Sequence, residues 1–135
     1  MKRFAIAIAV VGVCVLAPVA LAAGIPNGTY KTTIKSSKQF RGALNGTWTL
    51  KIKGANYRVF FKHKLQDKGV ALFAGGPTGN AASFKDTRGP GACKGVGTYK
   101  WTLTGKKLKF TKVSDPDSTC VGRRFVLKHT FTKVR

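Results

Sequence analysis

The sequence predicts an all-β protein, an antiparallel up-and-down barrel of about seven to eight strands. Apolar and polar residues alternate with a period of two through most of the chain after residue 23. Short turns containing glycine separate the alternating segments, and no segment there keeps the 3.6-residue period of a helix. An antiparallel meander of this size has to close or split into two sheets to avoid open edges, and consecutive hairpins favour closure.

The clearest elements are two similar hairpins, each opening with Gly-Thr-aromatic. The first has strands at 46–53 and 57–62 around a turn at Gly54, and the second has strands at 97–104 and 107–111 around a turn at Gly105. Lysine and threonine occupy the outward positions. The apolar faces contain Trp48, Leu50, Ile52, Tyr57, Val59 and Phe61 in the first hairpin, and Tyr99, Trp101, Leu103, Leu108 and Phe110 in the second.

The other strands carry weaker patterns. A third Gly-Thr-aromatic sequence stands at 28–30, and a glycine-rich stretch at 69–97 contains short apolar runs at 70–73 and 81–85. Residues 125–128 alternate again, with Phe125 and Leu127 on one face. We therefore predict short strands at these runs and a last strand through 125–128.

The N-terminus predicts a secretory signal peptide over residues 1–22. Met1-Lys2-Arg3 is followed by an apolar run to Leu16 and by Ala20-Leu21-Ala22, and these are the three parts of such a signal. A retained membrane anchor is the alternative, because about 20 near-apolar residues could span a bilayer. Cleavage after Ala22 leaves a single domain over residues 23–135, secreted to an extracellular or periplasmic location.

The cysteines predict one disulfide. Of three cysteines, Cys14 lies inside the signal peptide, which leaves Cys93 and Cys120 in the mature chain. An even pair in an exported protein indicates a structural bridge.

The charge of the chain is strongly positive. It has 25 Lys and Arg against 4 Asp and Glu, a formal net charge of +21. A cationic coat attracts polyanions such as nucleic acid, anionic lipid or acidic wall polymers, although outward lysines also keep a β-protein soluble. The outward lysines are Lys51, Lys53, Lys62, Lys64, Lys100, Lys107, Lys109, Lys112 and Lys128.

The inventory for catalysis is poor. His63 and His129 could serve as base and acid in RNA cleavage, but both stand in lysine-rich strand ends that we expect to be exposed. Asp115 and Asp117 flank a proline, which indicates turn chemistry. No cluster has the spacing of metal ligands and no glycine-rich loop opens a helix. We therefore expect no enzyme, no metal and no cofactor.

Gly46-Thr47-Trp48 resembles the Gly-x-Trp opening of lipocalin and avidin-like (calycin) barrels, and residues 93–131 resemble small secreted lipocalin-like proteins of bacteria. The shared pattern is a Cys, Gly-Thr-Tyr-x-Trp, a second Cys, then Gly-Arg-Arg. The resemblance implies that Trp48 closes one end of the barrel and that Arg123 or Arg124 stacks on it, with Arg123 preferred for a cation–π contact. The Thr-Asp-Tyr element of lipocalins and the polar residues that bind biotin are missing, so the resemblance implies fold and not ligand.

These observations leave two functions of different class. One is a lipocalin-like protein that holds a small apolar ligand in its lumen, unless the inward side chains fill the barrel completely. The other is a cationic interaction protein for polyanions or an anionic surface, with the barrel as scaffold. The ligand and the oligomeric state stay open. The candidate lumen residues are Trp48, Leu50, Tyr57, Phe61, Tyr99, Trp101, Leu103, Phe110 and Phe125.

Overall fold

The predicted barrel is confirmed. In a computed structural model that describes residues 24–75 and 79–135, eight antiparallel strands follow one another around a closed barrel, and the first pairs with the last. The predicted signal peptide lies outside the described residues. The strands are β1 Gly28–Ile34, β2 Gly46–Lys53, β3 Asn56–Phe61, β4 Lys64–Ala74, β5 Asn80–Arg88, β6 Gly97–Thr104, β7 Lys107–Ser114 and β8 Phe131–Lys133. A helix α1, Val121–Leu127, precedes β8, and 3₁₀ turns occupy Lys38–Phe40 and Ser118–Cys120.

The two predicted hairpins form with the predicted faces. Trp48, Leu50 and Ile52 are buried on β2, and the lysines between and after them are exposed. Gly54 and Gly105 each begin a two-residue turn with φ +58°. This left-handed conformation is one that glycine adopts without steric cost, so the Gly turns that the sequence indicates are structurally required.

The predicted last strand through 125–128 is wrong, because these residues belong to α1 and its C-terminal cap. Phe125, Val126 and Leu127 are consecutive and all buried, which neither a half-exposed strand nor a surface helix permits. The helix is covered on both sides: Phe125 packs edge-on against Phe40 at 5.0 Å, while Val126 and Leu127 face the barrel interior. Tertiary burial therefore decides the conformation of a segment whose local pattern is ambiguous.

Aromatic side chains fill much of the interior. Phe84 contacts Tyr57 at 5.3 Å and Phe110 at 5.7 Å between ring centroids, and Phe110 contacts Phe131 at 6.3 Å. All three contacts are edge-on, an arrangement worth about 0.5–1.5 kcal/mol per pair beyond the area buried. The chain of rings joins β3, β5, β7 and β8 across the barrel.

The predicted disulfide is confirmed between Cys93 and Cys120. It ties the loop after β5 to the 3₁₀ turn that leads into α1. A hydrogen bond supports the same junction, since the Lys94 backbone N–H donates to the Thr119 hydroxyl at 3.1 Å. The bridge therefore helps to hold α1 over the barrel.

We expect that, apart from Cys14, denatured and unreduced protein contains no free thiol. Replacing both Cys93 and Cys120 by Ala should lower the free energy of unfolding by about 3–4 kcal/mol, because the unfolded chain regains the entropy of a loop of 27 residues. Thiol titration and denaturant unfolding measure the two effects. Two reactive thiols from these positions in unreduced material would contradict the bridge.

Candidate functional site: an internal cavity with a carboxylate wall

A cavity of about 160 Å³ lies in the barrel beneath α1. Strands β2 and β3 supply part of its wall, and Val126 and Leu127 of α1 form its cover. Most of the lining is apolar, but one side carries Asp67, Asp86 and Arg123. The full lining is Leu44, Trp48, Leu50, Tyr57, Val59, Gln66, Asp67, Phe84, Asp86, Gly91, Gly122, Arg123, Val126, Leu127 and Phe131.

Of the nine predicted lumen residues, only Trp48, Leu50 and Tyr57 line this cavity. The other six pack inside the protein without reaching it. Phe61 stacks on Trp48 at 4.6 Å, and Phe125 approaches from α1 rather than from a strand. Tyr99, Trp101 and Phe110 are buried in the filled part of the barrel, and Leu103 packs against the same core. Cavity and filled core thus coexist in one barrel.

Sequence reasoning missed the carboxylate wall, which strand register creates. Asp67 pairs across the sheet with Val59, and Asp86 pairs with Gly69, which in turn pairs with Tyr57. Residues paired directly across strands share a face, so both carboxylates point inward with Val59 and Tyr57. Extending the alternation of Ala82 and Phe84 by two residues would have found Asp86. Asp67 carried no such signal.

Each inward carboxylate lies beside a β-bulge. The register shifts leave one extra residue in each of three strands. Gln66 directly precedes Asp67, and Thr87 directly follows Asp86. Val113 lies two residues before Asp115. A bulge inserts one residue into a strand and re-aims the side chains that follow it. Since a bulge cannot be read from period-two alternation, the position of Asp67 depends on the folded sheet.

The Arg123 guanidinium binds two of the three inward carboxylates. It donates to both oxygens of Asp115, from Nη2 at 2.8 Å and from Nε at 3.0 Å, and to Asp86 at 3.4 Å. Nη2 also donates to the Gly95 carbonyl at 2.9 Å. The side chains are 9% exposed for Arg123, 1% for Asp86 and 0% for Asp115, so this is a buried ion-pair cluster.

This geometry corrects two predictions. Arg123 lies on α1 and bonds to carboxylates, whereas the predicted partner Trp48 donates its ring N–H to the Leu44 carbonyl at 3.0 Å. The cation–π pairs in the described part of the chain all involve lysine. Arg124 Nη1 donates to the backbone carbonyls of Asp115 and Asp117, at 2.7 Å each, and Arg124 does not stack on Trp48. The buried cation thus pairs with charge rather than with an aromatic face.

Asp115 and Asp117 have different structural roles. Asp117 caps the 3₁₀ turn by accepting from Thr119 N at 2.8 Å, as turn chemistry predicts. Asp115 is instead a buried ion-pair partner that also accepts from the Tyr99 hydroxyl. A Cβ on Gly97 would lie 2.6 Å from Asp115 Oδ2 and 2.8 Å from Arg123 Nη2. The glycine of the Gly-Thr-Tyr sequence is therefore required by the ion pair.

The pKa values of Asp115 and Asp67 shift in opposite directions. Burial by itself would raise the pKa of Asp115, but hydrogen bonds from Arg123 and Tyr99 outweigh burial and lower it. Asp67 has no such partner: burial, together with repulsion from Asp86, raises its pKa to about 7. Asp67 Oδ1 is buried without a hydrogen-bond partner among the described residues. The inward carboxylates thus include one stabilised anion, Asp115, which lies outside the cavity lining, and one lining residue, Asp67, that resists ionisation.

The histidines are not assembled into a site. His63 stands in the turn between β3 and β4 with φ +69°, and His129 Nδ1 lies 2.9 Å from the Phe125 carbonyl after α1. Within 24–75 and 79–135, no group of three or more His, Cys, Asp or Glu could hold a metal ion. No helix in those ranges is long and apolar enough to cross a membrane.

Comparison with protein-family models, with curated protein sequences and with solved structures gives no match for this chain. The cavity, the carboxylate wall and the outer surface are the features of the molecule that bear on its function.

Replacing Arg123 by Met should lower the free energy of unfolding by about 3–5 kcal/mol at neutral pH, because Asp115 and Asp86 would stay buried without their cation. The loss should shrink between neutral pH and about pH 4, because a buried Asp115 carboxylate that has lost its cation takes up a proton more readily than one in water. Denaturant unfolding at both pH values measures this. The exposed Arg58→Met provides the control, with an expected change within about 0.5 kcal/mol. Equal losses in the two variants would contradict the cluster's role.

Asp67 should make the protein less stable as the pH rises. Its pKa is 3.8 in water and about 7 in the fold, so between these values the folded state retains a proton that the unfolded state releases. The free energy of unfolding then falls with rising pH, by up to about 4 kcal/mol between about pH 4 and 8. The lowered pKa of Asp115 acts with the opposite sign and only at more acidic pH.

Asp67→Asn cannot ionise, so its stability should change less between pH 5 and pH 8 and should exceed that of the unmodified protein at pH 8. Denaturant unfolding at the two pH values tests this. The control is Asp117→Asn, which should leave the pH dependence in this range unchanged. Parallel profiles for the unmodified protein and Asp67→Asn would contradict the prediction, because they would show that folding does not change the pKa of Asp67.

Proposed function

We propose that this is a secreted, non-enzymatic, lipocalin-like binding protein that holds a small apolar ligand in its lumen. The observation that carries the proposal is the cavity of about 160 Å³ beneath α1. An apolar cavity of about 150 Å³ in another protein binds benzene, so the space suits a ligand of about one ring. It lies below the range of about 300–1,000 Å³ that is usual for drug-sized ligands.

The character of the lining supports an apolar body for the ligand. Trp48, Leu50, Phe84, Val126 and Phe131 surround the space, and all are buried. Filling it with an apolar ligand would remove apolar surface from water, which is favourable by about 25 cal/mol for each Å² buried. The disulfide and the sequence of residues 1–22 support secretion, because bridges persist in oxidising compartments.

One position in the lining of the cavity has room for a larger side chain. Gly122 lines the cavity, and a Cβ added there would meet no atom within 4 Å. Gly122 therefore borders open space next to the helix cover. A larger side chain at this position would enter that space without displacing a packed neighbour.

A second candidate function uses the outer surface. A groove of about 430 Å³ on the outside of β1, β2 and β3 carries Lys31, Lys51, His63 and Arg135, together with threonine hydroxyls. The nine outward lysines predicted from the sequence are all exposed. These features favour binding of a polyanion or an anionic surface, with the barrel as scaffold.

Gly122→Leu should separate the two functions. We expect toluene to bind saturably to the unmodified protein, with an affinity that barely changes between about 50 and 200 mM salt, because burial of apolar area is not screened. Gly122→Leu should weaken that binding at least about tenfold, because Gly122 lines the cavity and the larger side chain takes up space there. Val121→Leu, at an exposed position of the same helix, is the matched control. NMR titration or calorimetry measures the affinity.

Absence of toluene binding at every salt concentration would leave the barrel as a scaffold. Heparin binding that falls steeply over the same salt range, and that weakens when Lys107 and Lys109 are reversed to Glu, would support the surface function. Both lysines are exposed on β7 and do not line the cavity.

A further inference from the structure

The protein concentrates its few acidic residues inside the barrel. It has 4 acidic residues in total, and three of them, Asp67, Asp86 and Asp115, face inward. One guanidinium, that of Arg123, lies among them. Two of them, Asp67 and Asp86, lie in the wall of the cavity, in a chain whose net charge is +21.

The donors of Arg123 are already used. Asp115 takes two of its N–H groups, and the Gly95 carbonyl and Asp86 accept others, with the Phe84 carbonyl at 3.5 Å. A guanidinium has five N–H donors, so little capacity is left for an anionic ligand. The polar side of the cavity thus has two carboxylates and a guanidinium without a free donor.

Asp67 supplies the free acceptor. Its Oδ1 is buried and lacks a hydrogen-bond partner in the described part of the chain, although the residue lines the cavity. Such an atom loses its hydrogen bonds to water without replacement. The bulge at Gln66 brings Asp67 onto the same inward face as Val59. The fold therefore places Asp67, whose carboxylate has an unsatisfied oxygen, in the wall of an apolar, ring-sized space.

Resting on the proposed lumen function, we propose that the ligand is a small primary amine with one apolar ring, whose ammonium group donates to Asp67 while the ring fills the space beside Trp48 and Phe84. An ammonium group has three donors and no acceptor, which complements a wall of carboxylate oxygens. It also supplies a second positive charge to a cluster in which three carboxylates share one guanidinium. Charge-assisted hydrogen bonds of this kind are about twice as strong as neutral ones.

The groups that face Asp67 set the pH dependence. Asp86 of β5 opposes its ionisation, Arg123 of α1 favours it, and Tyr57 of β3 donates to Asp86 rather than to Asp67. Burial is the largest influence and holds the pKa of Asp67 at about 7. An ammonium ligand requires the ionised carboxylate, so its affinity should rise through neutral pH until the ligand amine itself loses its proton near pH 10.

Three probes of one ring size test the proposal: benzylamine, benzyl alcohol and toluene. Calorimetry should show that benzylamine binds more tightly than the other two at pH 8, and that its affinity rises roughly tenfold from pH 6 to pH 8 as Asp67 ionises. Toluene and benzyl alcohol should bind no better at pH 8 than at pH 6. Asp67→Asn should weaken benzylamine binding at least about tenfold and remove its pH dependence, because the amide carries no charge to pair with the ammonium group. Asp117→Asn should leave all affinities as they are.

The outcomes separate this inference from the function on which it rests. If toluene binds and benzylamine binds no better, or if Asp67→Asn leaves benzylamine affinity unchanged, the amine proposal is overturned and the apolar lumen stands. If none of the three probes binds, both fall. Should Asp67→Asn fail to fold, the pH profile of benzylamine against toluene on the unmodified protein decides the matter: a flat benzylamine profile overturns the proposal.

Discussion

The buried guanidinium of Arg123 connects four separate parts of the chain. It reaches Asp86 at the end of β5, Gly95 in the loop that follows, Asp115 after β7, and its own helix α1. A buried cation that loses its partners is very unfavourable, so each partner position constrains the others. Gly97 has no side chain because the pair occupies that space, and α1 lies over the barrel because its arginine is anchored below. The disulfide at Cys120, directly before α1, reinforces the same junction covalently.

Placing α1 over the barrel also shapes the cavity. The helix covers the lumen with Val126 and Leu127 and turns Phe125 outward against Phe40. Aromatic rings fill much of the barrel, so the space that remains is small, and Asp86 and Arg123 of the ion-pair cluster line it. The same contacts that close the barrel therefore give the cavity one apolar side and one polar side. An apolar cavity alone discriminates weakly between ligands of similar size, and the polar side of this cavity adds charged groups to an apolar wall.

The distribution of charge follows a physical division between surface and interior. Lysines on the outside are hydrated and screened within about 8 Å at physiological salt, so they affect solubility and association more than fold. The carboxylates inside are screened far less, and their energies depend on individual partners. Asp115 has a guanidinium and a tyrosine hydroxyl as partners and is stabilised as an anion, whereas Asp67 has neither and resists ionisation. Two aspartates in one cluster thus differ in chemistry because of their hydrogen bonds and not because of their residue type.

The sequence by itself determined the barrel, its hairpins, its outward lysines and its disulfide, because alternation, glycine turns and cysteine parity act locally along the chain. It also identified most of the inward aromatic residues, such as Trp48 and Tyr99, from strand parity. Only the tertiary structure decided that residues 121–127 form a helix, since a short apolar run suits either conformation until its neighbours bury it. Only the tertiary structure showed that Arg123 forms an ion pair with Asp115, because a helix that the local pattern did not indicate brings the two residues together. The position of Asp67 likewise depends on a β-bulge, one residue that shifts the register and changes which side chains face the cavity.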